Sequence, residues 1–403
     1  MADNKDKKVL NVPALRFPEF TDEWHKQSLG EIGETIIGLT YKPSDVVESN
    51  GTIVLRSSNI KNGVIDYSDL VRVNKPIKER IITKENDILI CARNGSQRLI
   101  GKNAIIKKED ANNTFGAFMM VYRSKDNPFI LPLLSTKRYF SQVGENLGAR
   151  INQITTSDFN GFDFYFPNSH AERAKIAELF RLIDERIATQ NKIIEDLKKL
   201  KSAIVEMILC KQGGVLLKLG DVGSFIRGLT YSSEDIAEDI NATTVIRANN
   251  LNYGNNVSKK DVVYVNKKPT EIQILRKGDI VICMANGSSS LVGKNSYYSF
   301  DDRQSTIGAF CGIYRSSQPL VKWLMQSQRY RRLVYQSLQG GNGAIANLNG
   351  DDILNMTFYV VEDKKSVSIL SALVLIENSI AVNEKLQELY SMQKEYLLQH
   401  LFI

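Results

Sequence analysis

From Glu172 to Cys210 the chain has no proline and no glycine, and apolar side chains recur at alternating intervals of four and three: Ile176, Phe180, Ile183, Ile187, Ile194, Leu197, Ile204 and Ile208. A mean period of 3.5 keeps such residues on one stripe of an α-helix. Gln190 and Lys201 stand at two places in the same register. The C-terminal stretch repeats the pattern at an offset of 193, with Ile369, Leu373, Ile376, Ile380, Leu397 and Leu401. Asn383 falls where Gln190 fell, Lys394 where Lys201 fell and Tyr390 where Leu197 fell, while Gln387 departs from the pattern at Ile194. Both stretches are therefore expected to be long amphipathic helices. Their polar interruptions share one register, which favours pairing with each other, antiparallel about a pseudo-two-fold axis, over packing separately on their own domains. A helix of about 38 residues is roughly 57 Å long, so such a pair would hold two globular domains a fixed distance apart.

The rest of the chain has a different rhythm, and it too is written twice. LGEIGETIIGLTY at 29–41 returns as LGDVGSFIRGLTY at 219–231, with eight of thirteen positions identical. DILICARNGSQRLIGKN at 87–103 returns as DIVICMANGSSSLVGKN at 279–295, with eleven of seventeen identical, and GAFMMVYRS at 116–124 returns as GAFCGIYRS at 308–316. VLRSSNI at 54–60 corresponds to VIRANNL at 245–251. The offset stays near 190 to 194, far longer than a solenoid repeat, so each copy should enclose its own core. DILICAR, DIVICMA and GAFMMVY read as short strands, and Asn94-Gly95 and Asn286-Gly287 as turns. LPLLSTKRYFSQV and its counterpart LVKWLMQSQRYRRLVYQSL each read as one helix, followed by a glycine-bearing polar loop. The fold class is α+β: two pseudo-symmetric globular domains separated by two long helices pairing as an antiparallel coiled coil. The boundaries expected are 1–167 for the first domain, 168–212 for the central helix, 213–361 for the second domain and 362–403 for the C-terminal helix.

At 403 residues the chain is long enough for two or three cores. Its formal net charge of +7 favours a polyanionic partner. The first residues, MADNKDKK, carry no apolar segment of a secretory leader, and Val367–Val382 is too short to span a bilayer, so a cytoplasmic protein with no membrane partner is expected. Cys91, Cys210, Cys283 and Cys311 have no paired spacing and should be free thiols, with Cys91 and Cys283 filling equivalent core positions. Catalytic signatures are missing. None of His25, His170 and His400 stands at metal-ligand spacing with Cys, Asp or Glu. GSQRLIGKN and GSSSLVGKN fail as phosphate-binding loops, because five residues separate the glycines and Asn103 or Asn295 stands where Ser or Thr should bind magnesium. Asn127-Pro128-Phe129 lacks the second proline of an adenine-methyltransferase motif.

Two recognition-sized α+β copies alternating with two long helices resemble the specificity subunit of type I restriction-modification systems. The opening ALRFPEFTDEW running into LGEIGE, the segments NGSQRLIGKN and NGSSSLVGKN, and the loop ARINQITTSDF resemble the target-recognition-domain motifs of that family. The resemblance covers essentially the whole chain. It implies that each target-recognition domain reads one half of a bipartite double-stranded DNA site, and that the helices set the spacer and dock two methyltransferase subunits. It also implies that restriction/translocase subunits join the complex. The chain itself would be a non-catalytic subunit without a cofactor, and S-adenosylmethionine, ATP and Mg would be held by the partner subunits. One departure is visible: the second copy opens with KQGGVLLKLGD and has no counterpart of LRFPEFTDEW, so Leu15, Phe17, Phe20 and Trp24 are expected to anchor the first domain. The alternative reading is a duplicated coiled-coil adapter protein without DNA binding.

The duplication also sorts residues. If two domains share a scaffold but read different half-sites, matched residues should hold shape or touch phosphate, and differing surface residues should touch bases. Arg93 corresponds to Ala285, Gln97 to Ser289, Arg98 to Ser290, Ile37 to Arg227, Arg150 to Ala344 and Gln153 to Asn347. Arg suits guanine and Gln or Asn suits adenine in the major groove. The base-contact candidates are Arg93, Gln97, Arg98, Arg150, Gln153, Arg227, Ser289, Ser290 and Asn347. Phosphate candidates are the matched Arg56 and Arg247, and Lys102 and Lys294. Arg123 and Arg315 are also matched, with phosphate contact and a structural ion pair both open.

Overall fold

The computed structural model describes residues 11–147, 152–210, 214–339, 346–361 and 363–403. The chain divides into two compact units, one formed by 1–191 with 385–403 and the other by 192–384.

In the first unit, the strands Glu34–Ile37, Met119–Arg123, Ile88–Cys91 and Asn103–Ile105 form an antiparallel four-stranded sheet in that order. Ile88–Cys91 is buried along its whole length, which is why it reads as a continuous apolar run. A second four-stranded sheet orders Thr114–Phe115, Thr52–Leu55, Arg72–Val73 and Val46–Val47, with its first pair parallel. His25–Ser28 pairs with Asp163–Phe166, closing the domain near its chain ends. The second unit repeats the plan. One sheet orders Gly223–Arg227, Cys311–Ser316, Ile280–Cys283 and Asn295–Tyr297, the other Ile236–Ala237, Val263–Val265, Thr243–Ile246 and Ser305–Ile307, and Val215–Lys218 pairs with Thr357–Val360.

The segment read as one helix in each copy is two. Asn127–Leu133 and Lys137–Leu147 are separated by a break at which the Thr136 hydroxyl accepts from Tyr139 N. In the second copy Val321–Leu324 and Gln328–Gln339 are separated in the same way, with the Ser327 hydroxyl accepting from Tyr330 N. The hydroxyl satisfies an amide that a fresh helix start would leave without a partner, and so starts a new helix where the periodicity appeared unbroken.

The central helix spans His170–Glu206 and the C-terminal helix Asp363–His400. In the first unit Ile176, Phe180, Leu401 and Phe402 lie in one core cluster, and Phe180 stacks on Phe402 at 5.7 Å. Asp184 pairs with Lys394 at 2.5 Å, and Arg186 lies over the Tyr390 ring. In the second unit Val205, Ile208 and Leu373 share a core, Lys198 pairs with Glu384 at 2.7 Å, and Lys201 with Glu377 at 3.2 Å. Within each unit, partner numbers fall as central-helix numbers rise, so the pairing is antiparallel. Gln190 and Lys201 are both buried in the stripe. The helix that contains Val367–Val382 is longer than that apolar run. By length and composition Ser366–His400 could cross a membrane, with an 18-residue window of mean hydropathy 1.5, most of it uncovered.

The opening segment anchors the first unit. Trp24 is 1% exposed and packs edge-on against Phe129 and Phe402. Its indole N–H and the Arg16 guanidinium both donate to the buried Glu172 carboxylate at the start of the central helix. Leu15 N donates to His400 O.

Candidate nucleic-acid interface

In both copies a buried strand runs out into the same tight turn. After Ile88–Cys91, Asn94 accepts from Ser96 N through its side-chain oxygen at 3.0 Å; after Ile280–Cys283, Asn286 accepts from Ser288 N at the same distance. This Asx geometry is the reason for Asn-Gly-Ser at both places. The turn ends at Gly101 (φ 81°) and Gly293 (φ 79°), left-handed backbone that favours glycine. The carbonyls of both glycines accept a buried tyrosine hydroxyl at 2.9 Å, Tyr139 in one copy and Tyr330 in the other. Asn103 and Asn295 each donate from the side chain to a main-chain carbonyl, of Leu134 and Met325 respectively, so these asparagines tie the turn to the helices. Burial pushes the Cys91 thiol up to about 11 and the Cys311 thiol up to about 12, and raises that of Cys283 as well, as expected for thiols packed in apolar surroundings.

A second segment, about 60 residues further on, returns to this turn. Arg93 and Gln153 face each other in an antiparallel bridge, Ile154 N donates to Ala92 O at 2.9 Å, and the Asn152 side chain donates to Gly95 O at 3.0 Å. In the second copy Ala285–Asn286 pairs with Ala346–Asn347, placing Asn347 opposite Ala285. The tertiary fold thus brings together Arg93 with Gln153, and Ala285 with Asn347. Gln97 and Arg98 project on the short 3-10 turn beyond Asn94 in the first copy, and Ser289 and Ser290 in the second; all four are exposed. Ser290 is already engaged, its hydroxyl with Ser288 at 2.8 Å and its carbonyl with the Tyr253 hydroxyl at 2.7 Å. Ile37 and Arg227 are exposed at the ends of matched edge strands. Arg150 lies outside the described residues, as does Ala344.

The matched cations divide. Arg123 and Arg315 are ion-paired in bidentate fashion with the buried Asp87 and Asp279, the first at 2.8 and 2.6 Å and the second at 2.8 and 2.7 Å. That decides for a structural role. Arg56 pairs with Asp69 at 2.8 Å, and an Arg247 guanidinium nitrogen donates to Asp261 O at 3.3 Å. The Nε atoms of both arginines are buried with no protein hydrogen-bond partner. Lys102 and Lys294 are half-buried, and Lys294 lies 5.8 Å from the Tyr253 ring centre, with Arg331 on the same ring at 5.7 Å. Tyr253 and Arg331 line a cavity of about 700 Å³ together with Val292, Val334 and Leu338.

Sequence reasoning missed one pair. GAFMMVY reads along the chain as one strand, but Ala117-Phe118 and the matched Ala309-Phe310 form turns ahead of the strands, and Phe118 and Phe310 are exposed. The signal was the Gly-Ala before each Phe. Gly116 and Gly308 lie where a second glycine, Gly38 or Gly228, passes so closely that a Cβ on the latter would sit 2.2 or 2.1 Å from the carbonyl oxygen of Gly116 or Gly308. Among the described residues no group of three or more His, Cys, Asp or Glu side chains could hold a metal ion.

A family profile described as "Type I restriction modification DNA specificity domain" matches residues 21–199. The StySPI type I restriction enzyme specificity subunit of Salmonella potsdam is 24% identical over 296 residues, covering 67% of this chain and 63% of its own length. The EcoKI specificity subunit of Escherichia coli (strain K12) is 28% identical over 164 residues, covering 39% of this chain and 35% of its own length. The chain thus spans less than two thirds of either relative. Among solved structures, the S subunit of a type I restriction-modification system from M. genitalium superposes with a TM-score of 0.60 at 15% identity, covering 97% of this chain and 99% of that one. A chain from a structure of complex assembly and conformational transition of the type I R-M system gives a TM-score of 0.52 at 14% identity, covering 94% and 96%.

Proposed function

Because residues 21–199 match the type I restriction modification DNA specificity domain and the chain is similar to specificity subunits of that class, we propose that it is such a subunit and that its two domains are separate readers of a bipartite double-stranded DNA site, one half-site each. The observation that carries this reading is the pair of equivalent faces. Turn, returning segment and glycine contacts coincide between copies, while Arg93, Gln97, Arg98 and Gln153 in one face give way to Ala285, Ser289, Ser290 and Asn347 in the other. A common scaffold with divergent tips is what two half-sites of different sequence require. Arg56, Arg247, Lys102 and Lys294 flank these faces as phosphate contacts, and Arg150 and Arg227 extend the base-reading set.

In this reading the chain performs no chemistry. Its paired helices set the unspecified spacer and dock two methyltransferase subunits, which bring S-adenosylmethionine, while restriction/translocase subunits bring ATP and Mg. The complex acts on DNA in the cytoplasm. The chain's own residues agree with that division: Asn103 and Asn295, at the position a magnesium-binding hydroxyl would need, spend their side chains on main-chain carbonyls.

The test is to express the chain with its methyltransferase partner and sequence the methylated sites. A bipartite motif is expected. Exchanging 213–361 for the matching region of another family member should change one half of it, and inserting four residues near Gln190, about 6 Å of helix, should lengthen the spacer alone. Both halves changing together would refute the two-reader arrangement. A complex that binds no DNA, even at low salt, would favour the adapter.

A further inference from the structure

Phe118 is 60% exposed and Phe310 71%, in a short exposed Ala-Phe turn between buried residues: Phe115 and Met119 lie on either side of the first turn, Ile307 and Cys311 of the second, all essentially inaccessible. The ring is not needed to hold the turn. Phe118 O accepts from both Ala92 N and Arg93 N at 3.0 Å, and Phe310 O accepts from Met284 N at 2.8 Å and Ala285 N at 3.3 Å. Those bonds belong to the backbone and would form with any residue. The turn is further pinned by Gly116 N to Leu55 O and Ala117 N to Leu39 O, both at 2.9 Å, and in the second copy by Gly308 N to Ile246 O at 3.0 Å. Each copy therefore displays an aromatic ring on a rigid support, directly beside the strand exit that carries Arg93 or Ala285. In the first copy the Arg93 guanidinium lies 5.2 Å from the centre of the Phe118 ring.

Duplication now discriminates further. The side chains around the two rings differ between copies, but the phenylalanine is the same. Its task is thus independent of the sequence read. It is not a phosphate contact, since a phenyl ring has no hydrogen-bond donor. It does not hold shape, since the ring is exposed and the backbone does that work. What remains for a rigid, exposed aromatic beside a base-reading strand is the face or step of a base, which every nucleotide offers whatever its identity.

We propose that Phe118 and Phe310 are paired DNA wedges, each pressing its ring against a base step at its own half-site and contributing affinity without sequence preference. This rests on the two-reader proposal above.

The experiment uses the full chain assembled with its methyltransferase subunits, on duplexes carrying the methylated site with 2-aminopurine placed at each position in turn. The wild-type complex should change the fluorescence at one step in each half-site. Phe118→Ala should abolish the change in one half and Phe310→Ala in the other. Each should weaken binding roughly tenfold and leave the methylated motif as it was. Phe118→Trp should restore the signal, and Phe118→Leu, which keeps bulk without an aromatic face, should restore little. Alanine variants that bind with unchanged affinity and fluorescence would overturn the proposal. So would a changed motif, which makes the ring a base reader, or loss of methyltransferase assembly on size exclusion, which makes it a protein contact. If the wild-type complex bound no DNA at all, the parent reading would fall first, and that outcome is recognisable before any variant is compared.

Discussion

Lys201 and Glu377 offer a quantitative test of how the helical pairing in the second unit is stabilised. Glu377 accepts from Lys201 Nζ at 3.2 Å and also from Lys322 Nζ, so two ammonium groups share one carboxylate. Both lysines lie over the Trp323 ring, at 5.3 and 4.7 Å. The Lys201 side chain is only 9% exposed, and burial lowers its pKa from the usual 10.5; the Glu377 charge opposes that shift, while Lys322 and Lys198 add to it. Replacing a buried charge by a hydrophobe of similar volume is often neutral or stabilising by about 1–4 kcal/mol, so Lys201→Met should leave the unit as stable or more so. Removing the carboxylate is different, because it leaves two ammonium groups without a counter-charge. Glu377→Gln should cost about 2–3 kcal/mol, less than for a fully buried pair, because Glu377 is 30% exposed. At roughly 2–4 °C per kcal/mol for a unit of this size, that is a fall in Tm of about 4–12 °C. The chain has two tryptophans, Trp24 in the first unit and Trp323 in the second, so a Trp24→Phe background makes indole fluorescence report on the second unit alone. Between the lowered folded pKa and 10.5 the unfolded chain binds more protons at Lys201 than the folded one, so this group's contribution to stability rises with pH. Any advantage of Lys201→Met at pH 7 should therefore shrink as pH is raised towards 10. A strongly destabilised Lys201→Met, a harmless Glu377→Gln, or a gap that widens with pH would each refute the reasoning.

Three further outcomes follow from matched features of the copies. Tyr139→Phe and Tyr330→Phe each remove one buried hydroxyl donated to a glycine carbonyl at 2.9 Å, and should cost about 1–2 kcal/mol apiece in chemical denaturation. Gly293→Ala should be worse than Gly101→Ala by about 1 kcal/mol or more, since both have left-handed backbone but the new Cβ meets Val334 at 2.7 Å in one case and the Tyr139 hydroxyl at 3.1 Å in the other; equal melting temperatures would contradict this. Asp279→Ala strips the bidentate partner from Arg315 and should lower stability by about 3 kcal/mol without altering the methylated motif, whereas Arg93→Ala should relax one position of that motif with little change in melting.

Much of this architecture was readable along the chain, because periodicity and duplication are one-dimensional signals. The four-three spacing from Ile176 to Ile208 fixes which face of the central helix is buried, whatever covers it, and the repeat at an offset of 193 supplies its partner. The Asn-Gly-Ser turns were legible for a similar reason, since an Asx turn is closed by bonds between residues two apart. The helix break at Thr136 and Ser327 was not, because a hydroxyl caps only where the backbone has already departed from the helix. Nor was the bridge of Arg93 to Gln153 legible, since its bonds join segments 60 residues apart and depend on the sheet and helices between them. Composition could not separate Arg123 from Arg93; the buried Asp87 beside one, and the exposed strand exit that carries the other, did so. Phe118 marks the same limit. An apolar residue in an apolar run is assigned to the core by its neighbours in sequence, and only the turn at Gly116, forced by the close passage of Gly38, aims its ring outward.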